Sequence, residues 1–137
     1  MANLLDEIAA RLIGQAVGVT GTTASWVVYK GWEPETPDQV FSLFETGGLA
    51  NQSHDGDLLD VPTFQIRVRG ASTSTGYPAA RTKIAAARTA LEGMTAGTFS
   101  GRYYCSVVAN SEPLSLGHDA SHRPRLVVNF TALRSRA

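Results

Sequence analysis

This 137-residue chain has no net charge, and it contains few lysines and a single cysteine. Twelve Lys and Arg residues balance twelve Asp and Glu residues, so no global field draws the protein to nucleic acid or to a membrane surface. Lys30 and Lys83 are the only lysines among those twelve basic residues. The single cysteine, Cys105, excludes a disulfide framework within one chain, and a reducing compartment suits such a protein.

Long apolar runs are missing as well. No run reaches the roughly 18 residues that a membrane-spanning helix needs, and Asp6 and Glu7 stand where a signal peptide would carry positive charge. We therefore expect a soluble protein that is made inside the cell and has no membrane contact. The length predicts one domain, spanning 1–137.

The signatures of nucleotide binding and catalysis are also absent. Residues 64–84, FQIRVRGASTSTGYPAARTKI, run from a strand pattern through a hydroxyl-rich loop into a helix, as a phosphate-binding loop does. However, no Gly-Lys-Ser/Thr follows Gly70, and Pro78 removes an amide N–H that would hold phosphate. No G-x-S-x-G turn presents a nucleophile, and Cys105 lies within a strand pattern. We expect no enzyme activity and no cofactor.

Two of the three histidines lie in the segment HDASH, at His118 and His122. On a helix this spacing would place both rings on one face, where they could bind zinc. The flanking segments PLSLG and RPRLVV instead favour a turn between two strands, and His54 lies far away in the sequence. A solvated turn is the favoured interpretation and no metal is expected. A small metal-dependent enzyme that uses these histidines stays open as an alternative.

Hydrophobic periodicity predicts two helices, over residues 3–16 and 77–92, and a long polar loop over residues 47–62. The segments that read as strands are 25–30, 39–46, 63–70, 102–110, 113–119 and 123–134. The order α-β-β-β-α-β-β-β predicts an α+β fold, in which a mostly antiparallel sheet has two helices packed on one face.

Arginines are concentrated on the polar faces of two predicted strands. Arg67 and Arg69 alternate with apolar residues in one strand, and Arg123 and Arg125 alternate in another. A solvated polar face and an arginine-rich contact surface fit this pattern equally well, and zero net charge favours a protein partner over a nucleic-acid backbone. Acidic residues of the long loop could pair with the arginines of a neighbouring copy. The residues expected at a subunit or tube interface are Arg67, Arg69, Asp55, Asp57, Asp60, Arg123 and Arg125.

Three segments in order, TPDQVFSLFETGG, DVPTFQIRVRG and YPAARTKIAAARTALEG, resemble the minor capsid and tail-terminator proteins of long-tailed bacteriophages. The resemblance covers residues 36–93 and extends more loosely through the C-terminal strands. Loop 49–60 has no counterpart in the family pattern. The positions that match the family motifs are Pro37, Asp38, Gly47, Gly48, Arg67, Arg69 and Gly70.

This resemblance implies a small structural subunit of the virion, assembled in the host cytoplasm into a ring that is usually a hexamer. Such a ring lies at the head–tail junction, where it caps the tail tube and joins it to the head-completion (neck) proteins. Phage DNA passes through the lumen without sequence-specific binding, and no catalytic residue comes with the family. Two alternatives remain beside it: another neck component, such as a head-closure protein or head–tail adaptor, and a nucleic-acid-binding module.

Overall fold

The computed structural model describes residues 3–21, 24–49 and 59–135. These ranges contain two helices, α1 (Leu4–Gly14) and α2 (Gly76–Glu92). The strands within them are β1 (Val27–Lys30), β2 (Val40–Leu49), β3 (Leu59–Arg69), β4 (Gly97–Phe99), β5 (Arg102–Ala109), β6 (Leu114–His118) and β7 (Pro124–Ser135). Neither of these helices is long and apolar enough to cross a membrane.

All seven strands belong to one sheet, with the order β1-β2-β3-β7-β5-β4, and β6 also pairs with β7. The pair β1–β2 is parallel and the other pairs are antiparallel. Strands make up 44% of the structure, and the sheet curls into a half-barrel with only two short helices. The predicted α+β fold with two helices on one face is therefore wrong, because the sheet dominates the architecture.

The strands extend further than predicted where they lack an alternating apolar pattern. Strand β2 continues through Gly47 and Gly48 to Leu49, and β3 already begins at Leu59, so both extend into the predicted polar loop 47–62. Residues 45–49 are exposed, so burial imposes no hydrophobic alternation on them. Strand β4 has only three residues and gave no signal at all.

The core is one cluster of residues from both helices and from the strands. Helix α1 contributes Ile8 and Leu12, and helix α2 contributes Ile84 and Leu91, all of them fully buried. The central strands contribute alternate residues, and the rings of Phe64 and Phe130 stack with their centroids 5.2 Å apart. The helical and strand periodicities of the sequence thus converge on one cluster.

Strands β5 and β6 run one after the other along the same side of β7. Strand β5 lies opposite residues 130–134 of β7, whereas β6 lies opposite residues 124–127. Helix α2 holds the end of β5, since the Glu92 carboxylate accepts the Ala109 N–H at 3.1 Å. The two strands therefore form one long edge of the sheet, interrupted at residues 110–113.

Candidate functional site

The four arginines singled out in the sequence lie together on the outer side of the sheet, and we call them the arginine cluster (Arg67, Arg69, Arg123 and Arg125). Arg69 of β3 lies directly opposite Arg125 of β7, and Arg67 lies opposite Val127. Side chains that are opposite one another in a sheet share a face, so these residues lie on the side away from the core. Like charges placed directly opposite destabilise a sheet unless they are compensated.

The compensating charge comes from the loop between β1 and β2, residues 31–39. Oε1 of Glu33 lies 3.5 Å from Nη1 of Arg125 and 3.7 Å from Nη1 of Arg69, while its Oε2 lies 4.0 Å from Nη1 of Arg67. One largely buried carboxylate thus serves three arginines on two strands. Val40 and Val127, which lie opposite Arg69 and Arg67, are also buried on this outer face.

Arg69 is the most deeply buried member of the cluster, with 2% of its surface exposed. Its Nε donates to the carbonyl oxygen of Asp38 at 2.9 Å, and its Nη2 donates to that of Pro37 at 2.7 Å. Burial and the neighbouring charge of Arg123 lower the pKa of Arg69, while the Glu33 carboxylate acts in the opposite direction. Arg69 is therefore an internal brace for loop 31–39.

Arg123 is also buried and binds three carboxylates. Its Nε donates to Oδ2 of Asp119 at 2.8 Å, its Nη2 to Oε2 of Glu35 at 3.1 Å, and its Nη1 to Oδ1 of Asp38 at 3.3 Å. Burial alone would lower the pKa of Arg123, but the carboxylates of Asp119, Asp38 and Glu35 together raise the pKa above its ordinary value. Four arginines and four carboxylates (Glu33, Glu35, Asp38 and Asp119) together close the loop onto the sheet.

The histidine segment is a turn, as predicted. Strand β6 ends at His118 and β7 begins at Pro124. Oδ1 of Asp119 accepts the N–H groups of Ser121 and Arg123 at 3.0 and 2.9 Å, which fixes the turn. Across residues 3–21, 24–49 and 59–135, no group of three or more His, Cys, Asp or Glu side chains is arranged to hold a metal ion.

The structure divides the predicted interface residues into three groups. Arg69 and Arg123 are buried, whereas the Arg67 and Arg125 side chains each keep 27% exposure. Asp60 is half-buried on β3. Asp55 and Asp57 lie outside the described residues.

Sequence reasoning missed the carboxylates that neutralise the arginine cluster. Glu33, Glu35 and Asp38 all belong to the segment GWEPETPDQ, whose three acids were the available signal. The prolines of this segment exclude regular structure and predict a loop, but they do not indicate what its acids contact. Its pairing with Arg123 spans 88 residues of sequence, and no local pattern reveals such a contact.

Beyond the cluster, the outer face carries uncharged polar side chains paired across the strands. The Gln65 amide donates to Oδ1 of Asn129 at 3.1 Å, and Thr131 donates to Oδ1 of Asn110 at 2.8 Å. Arg67 connects this region to the cluster, because its Nη2 donates to Oε1 of Gln65 at 3.2 Å. The guanidinium of Arg67 also lies 5.1 Å from the centre of the Phe44 ring.

A second ionic network lies on the core side of the sheet. The Glu7 carboxylate of α1 is 2% exposed and accepts hydrogen bonds from Tyr104 Oη at 2.5 Å and Arg134 Nη1 at 2.7 Å. Nε of Arg102 lies 3.1 Å from its other oxygen. Burial and the Glu7 carboxylate raise the pKa of Tyr104 well above its ordinary value. This network joins α1 to β5 and β7 and has a structural role.

Comparison with known proteins connects this architecture to one protein family. The family model described as "Bacteriophage tail terminator protein" matches residues 11–136. Among solved structures, a chain of the "Virion of native gene transfer agent (GTA) particle" shares the fold with a TM-score of 0.56 and 18% identity, over 95% of this chain and 86% of that chain.

A shorter similarity links the chain to a ribosomal protein. The small ribosomal subunit protein eS6 of Aeropyrum pernix is 32% identical over 73 residues. That match covers 53% of this chain, and the chain spans only 30% of the length of that relative. It is therefore local, unlike the family match, which covers nearly the whole chain.

Proposed function

The chain belongs to the bacteriophage tail terminator family, and from that premise we propose that it forms a ring, expected to be a hexamer, that ends growth of the tail tube. The observation that carries this proposal is the family match over residues 11–136. The resemblance read from the three sequence motifs is thereby confirmed. The protein is a structural component of the phage virion.

On this proposal, one side of the ring contacts the tail tube protein and the other joins the head-completion (neck) proteins. The whole chain, 1–137, acts as one tail-terminator domain. The contacts of the outer face support a structural role, since backbone carbonyls hold the buried Arg69 guanidinium and carboxylates of the same chain hold that of Arg123. Groups fixed in this way provide a rigid surface that a neighbour can dock against at little entropic cost.

We place the subunit or tube interface on the outer face, next to loop 31–39. Arg67 and Arg125 contribute their exposed atoms to it. Asp60 lies opposite Arg134 on the other face of the sheet and stays a predicted interface residue apart from this surface. Arg69 and Arg123 are buried next to this surface and stabilise it by binding loop 31–39. Asp55 and Asp57 remain predicted residues of the subunit or tube interface.

Phage DNA passes through the ring lumen without sequence-specific contacts in this proposal. Among the residues that the structure describes, the four arginines of the cluster are paired with four carboxylates, so their charges cancel. Binding to a DNA backbone depends on uncompensated Lys and Arg side chains. A neutral surface therefore favours passage over retention.

Electron microscopy of phage particles that lack this protein tests the proposal directly. Over-long tail tubes are expected, because nothing would stop polymerisation. Tails of normal length beside unattached heads would contradict the terminator role and favour a head-closure or adaptor protein. Native mass spectrometry of the purified protein should show a hexamer, whereas strongly salt-dependent duplex binding would favour a nucleic-acid-binding module.

A further inference from the structure

Two stretches of sheet edge have no strand partner among the described residues. The first, the β6 edge, comprises residues 114–118, all of which are exposed. The second, the β2 edge, comprises residues 45–49, which continue beyond the point where β1 ends opposite Leu43. Each edge is five residues long and exposes leucine: Leu114 is 61% exposed, Leu116 40% and Leu49 67%.

The other edges of the sheet are short or occupied. These two are interrupted only locally, by a bulge between Glu45 and Gly47 in β2 and by a register shift between Ser115 and His118 in β6, where Oγ of Ser115 accepts the Gly117 N–H. Strand β4 has three residues, and short edge strands offer little to pair with. Strand β1 ends in Lys30, and Val27 of this strand forms a β-bridge with Val19 on its outer side. The N–H of Ala109 in β5 is occupied by the Glu92 carboxylate. By contrast, residues 45–49 and 114–118 contain no Lys, Arg or Pro, the residues that usually block strand addition.

The strand registers place the two open edges at diagonally opposite corners of the sheet. The β6 edge lies beside residues 124–127 of β7, which lie opposite 67–69 of β3 and hence 40–42 of β2. The β2 edge lies at the other end of β2, beyond a bulge between Glu45 and Gly47. Gly47 and Gly48 both have positive φ there, and a bulge bends its strand. Residues 45–49 lie beyond the end of β1, which reaches only Leu43.

We propose that β6 of one copy of the chain pairs with residues 45–49 of β2 in the next copy, so that strand addition joins neighbouring subunits. This inference rests on the proposed ring, because a closed ring needs a head-to-tail interface made of two different, complementary patches. One chain carries both patches, of equal length and on opposite sides of its sheet. Backbone hydrogen bonds supply the pairing, and the exposed leucines of both edges are buried by it.

Charge substitutions on the two edges test the pairing. Leu114→Lys combined with Leu116→Lys should reduce subunit association roughly tenfold or more, and Leu49→Lys should do the same from the other side. The side chains are exposed in the single chain, so the folded monomer should keep its unfolding midpoint. Tyr77→Lys is the matched control, because Tyr77 is a similarly exposed apolar residue on helix α2. Association is measured by native mass spectrometry over a concentration series.

Cross-linking separates the edge contact from the ring itself. In a Cys105→Ser background, the Leu49→Cys and Leu116→Cys proteins are mixed and treated with a short bismaleimide. A mixed 49–116 product, absent when Tyr77→Cys replaces Leu49→Cys, supports the edge pairing. Oligomers that form without this product and tolerate the lysine substitutions overturn the edge pairing while the ring stands. A 116–116 product alone shows pairing of like edges and also overturns it, and a chain that stays monomeric without any cross-link overturns both.

Discussion

The Arg134 guanidinium donates to Oε1 of Glu7 at 2.7 Å, which joins the last strand to the first helix across 127 residues of sequence. The same oxygen accepts the Tyr104 hydroxyl, and Arg102 lies against the second oxygen. Two guanidinium groups and a phenol thus surround one carboxylate in the core. Removal of that carboxylate would deprive both buried guanidinium groups of the negative charge that they share.

We therefore expect Glu7→Gln to destabilise the fold by about 3 kcal/mol, since breaking a buried ion pair typically costs that much or more. The free energy of unfolding in urea measures the effect. Glu112→Gln is the control, because Glu112 pairs with Arg88 at the exposed surface and should shift the midpoint little. Equal effects of the two substitutions would mean that the buried network adds no stability.

Tyr104 should ionise only when the protein unfolds. Its pKa is raised by burial and by the Glu7 carboxylate, so the neutral phenol is favoured in the folded state. The contribution of Tyr104 to the free energy of unfolding is complete below the ordinary pKa of 10.0. This contribution is lost as the pH rises toward the pKa that Tyr104 has in the folded state. The four tyrosines should therefore give fewer than four phenolates in a native alkaline titration. A Tyr104→Phe protein that lost one early-titrating group would contradict this expectation.

Asp119 should contribute stability that disappears in acid. Burial alone would raise its pKa, but hydrogen bonds from the Arg123 backbone and side chain and from the Ser121 N–H lower the pKa below 3.8 overall. The carboxylate therefore stabilises the fold fully above pH 3.8, and this stabilisation is lost as the pH falls further below that value. We expect the free energy of unfolding of Asp119→Asn to be lower than that of the natural protein at neutral pH. The difference between the two free energies should narrow below pH 3.8. An unfolding free energy with the same pH dependence in both proteins would refute the assignment.

Arg123→Lys should loosen loop 31–39 while the sheet stays intact. A lysine ammonium cannot hold Asp119, Glu35 and Asp38 at once, as the planar guanidinium does. The loss of one hydrogen bond to a charged group costs about 1.5 kcal/mol or more, so the loop should open roughly tenfold more often. Hydrogen exchange of residues 31–39 measures this opening, with Arg81→Lys on the exposed surface of α2 as control. Faster exchange in β3 and β7 to the same degree would indicate global destabilisation instead.

Local sequence patterns predicted the helices and most strands because local physics determines them. Residues 77–92 were predicted as a helix and Gly76–Glu92 form it, since the buried stripe of Ala80, Ile84 and Leu91 has helical spacing. The fold class was nevertheless wrong. Strand pairing holds the part of β2 beyond Gly48 and the part of β3 that begins at Leu59. A local sequence pattern does not indicate which segments will pair.

In the candidate site too, local patterns predicted part of the structure and long-range contacts determine the rest. The alternation of Arg67 and Arg69 correctly placed both on the face away from the core, but their burial depends on loop 31–39 folding over them. That loop is fixed by Glu33, which reaches arginines on two different strands. Contacts between residues so distant in sequence follow from the folded topology alone.

Arg67→Glu is expected to weaken ring assembly, because it reverses a charge at the proposed interface. The Arg67 side chain is partly exposed and joins the Gln65–Asn129 pair to the arginine cluster. The substitution also sets a second carboxylate next to Glu33, so its effect on folding has to be measured separately. Arg67→Gln provides that comparison, since it removes the positive charge without adding a negative one.

Native mass spectrometry should show fewer hexamers for Arg67→Glu than for Arg67→Gln at concentrations where both monomers are folded by urea titration. Arg81→Glu, which reverses a charge on exposed helix α2, should assemble normally. Because exposed charges are screened by salt, the defect of Arg67→Glu should shrink at high ionic strength if it arises from repulsion between subunits. Unchanged ring formation by a folded Arg67→Glu protein would exclude Arg67 from the subunit interface.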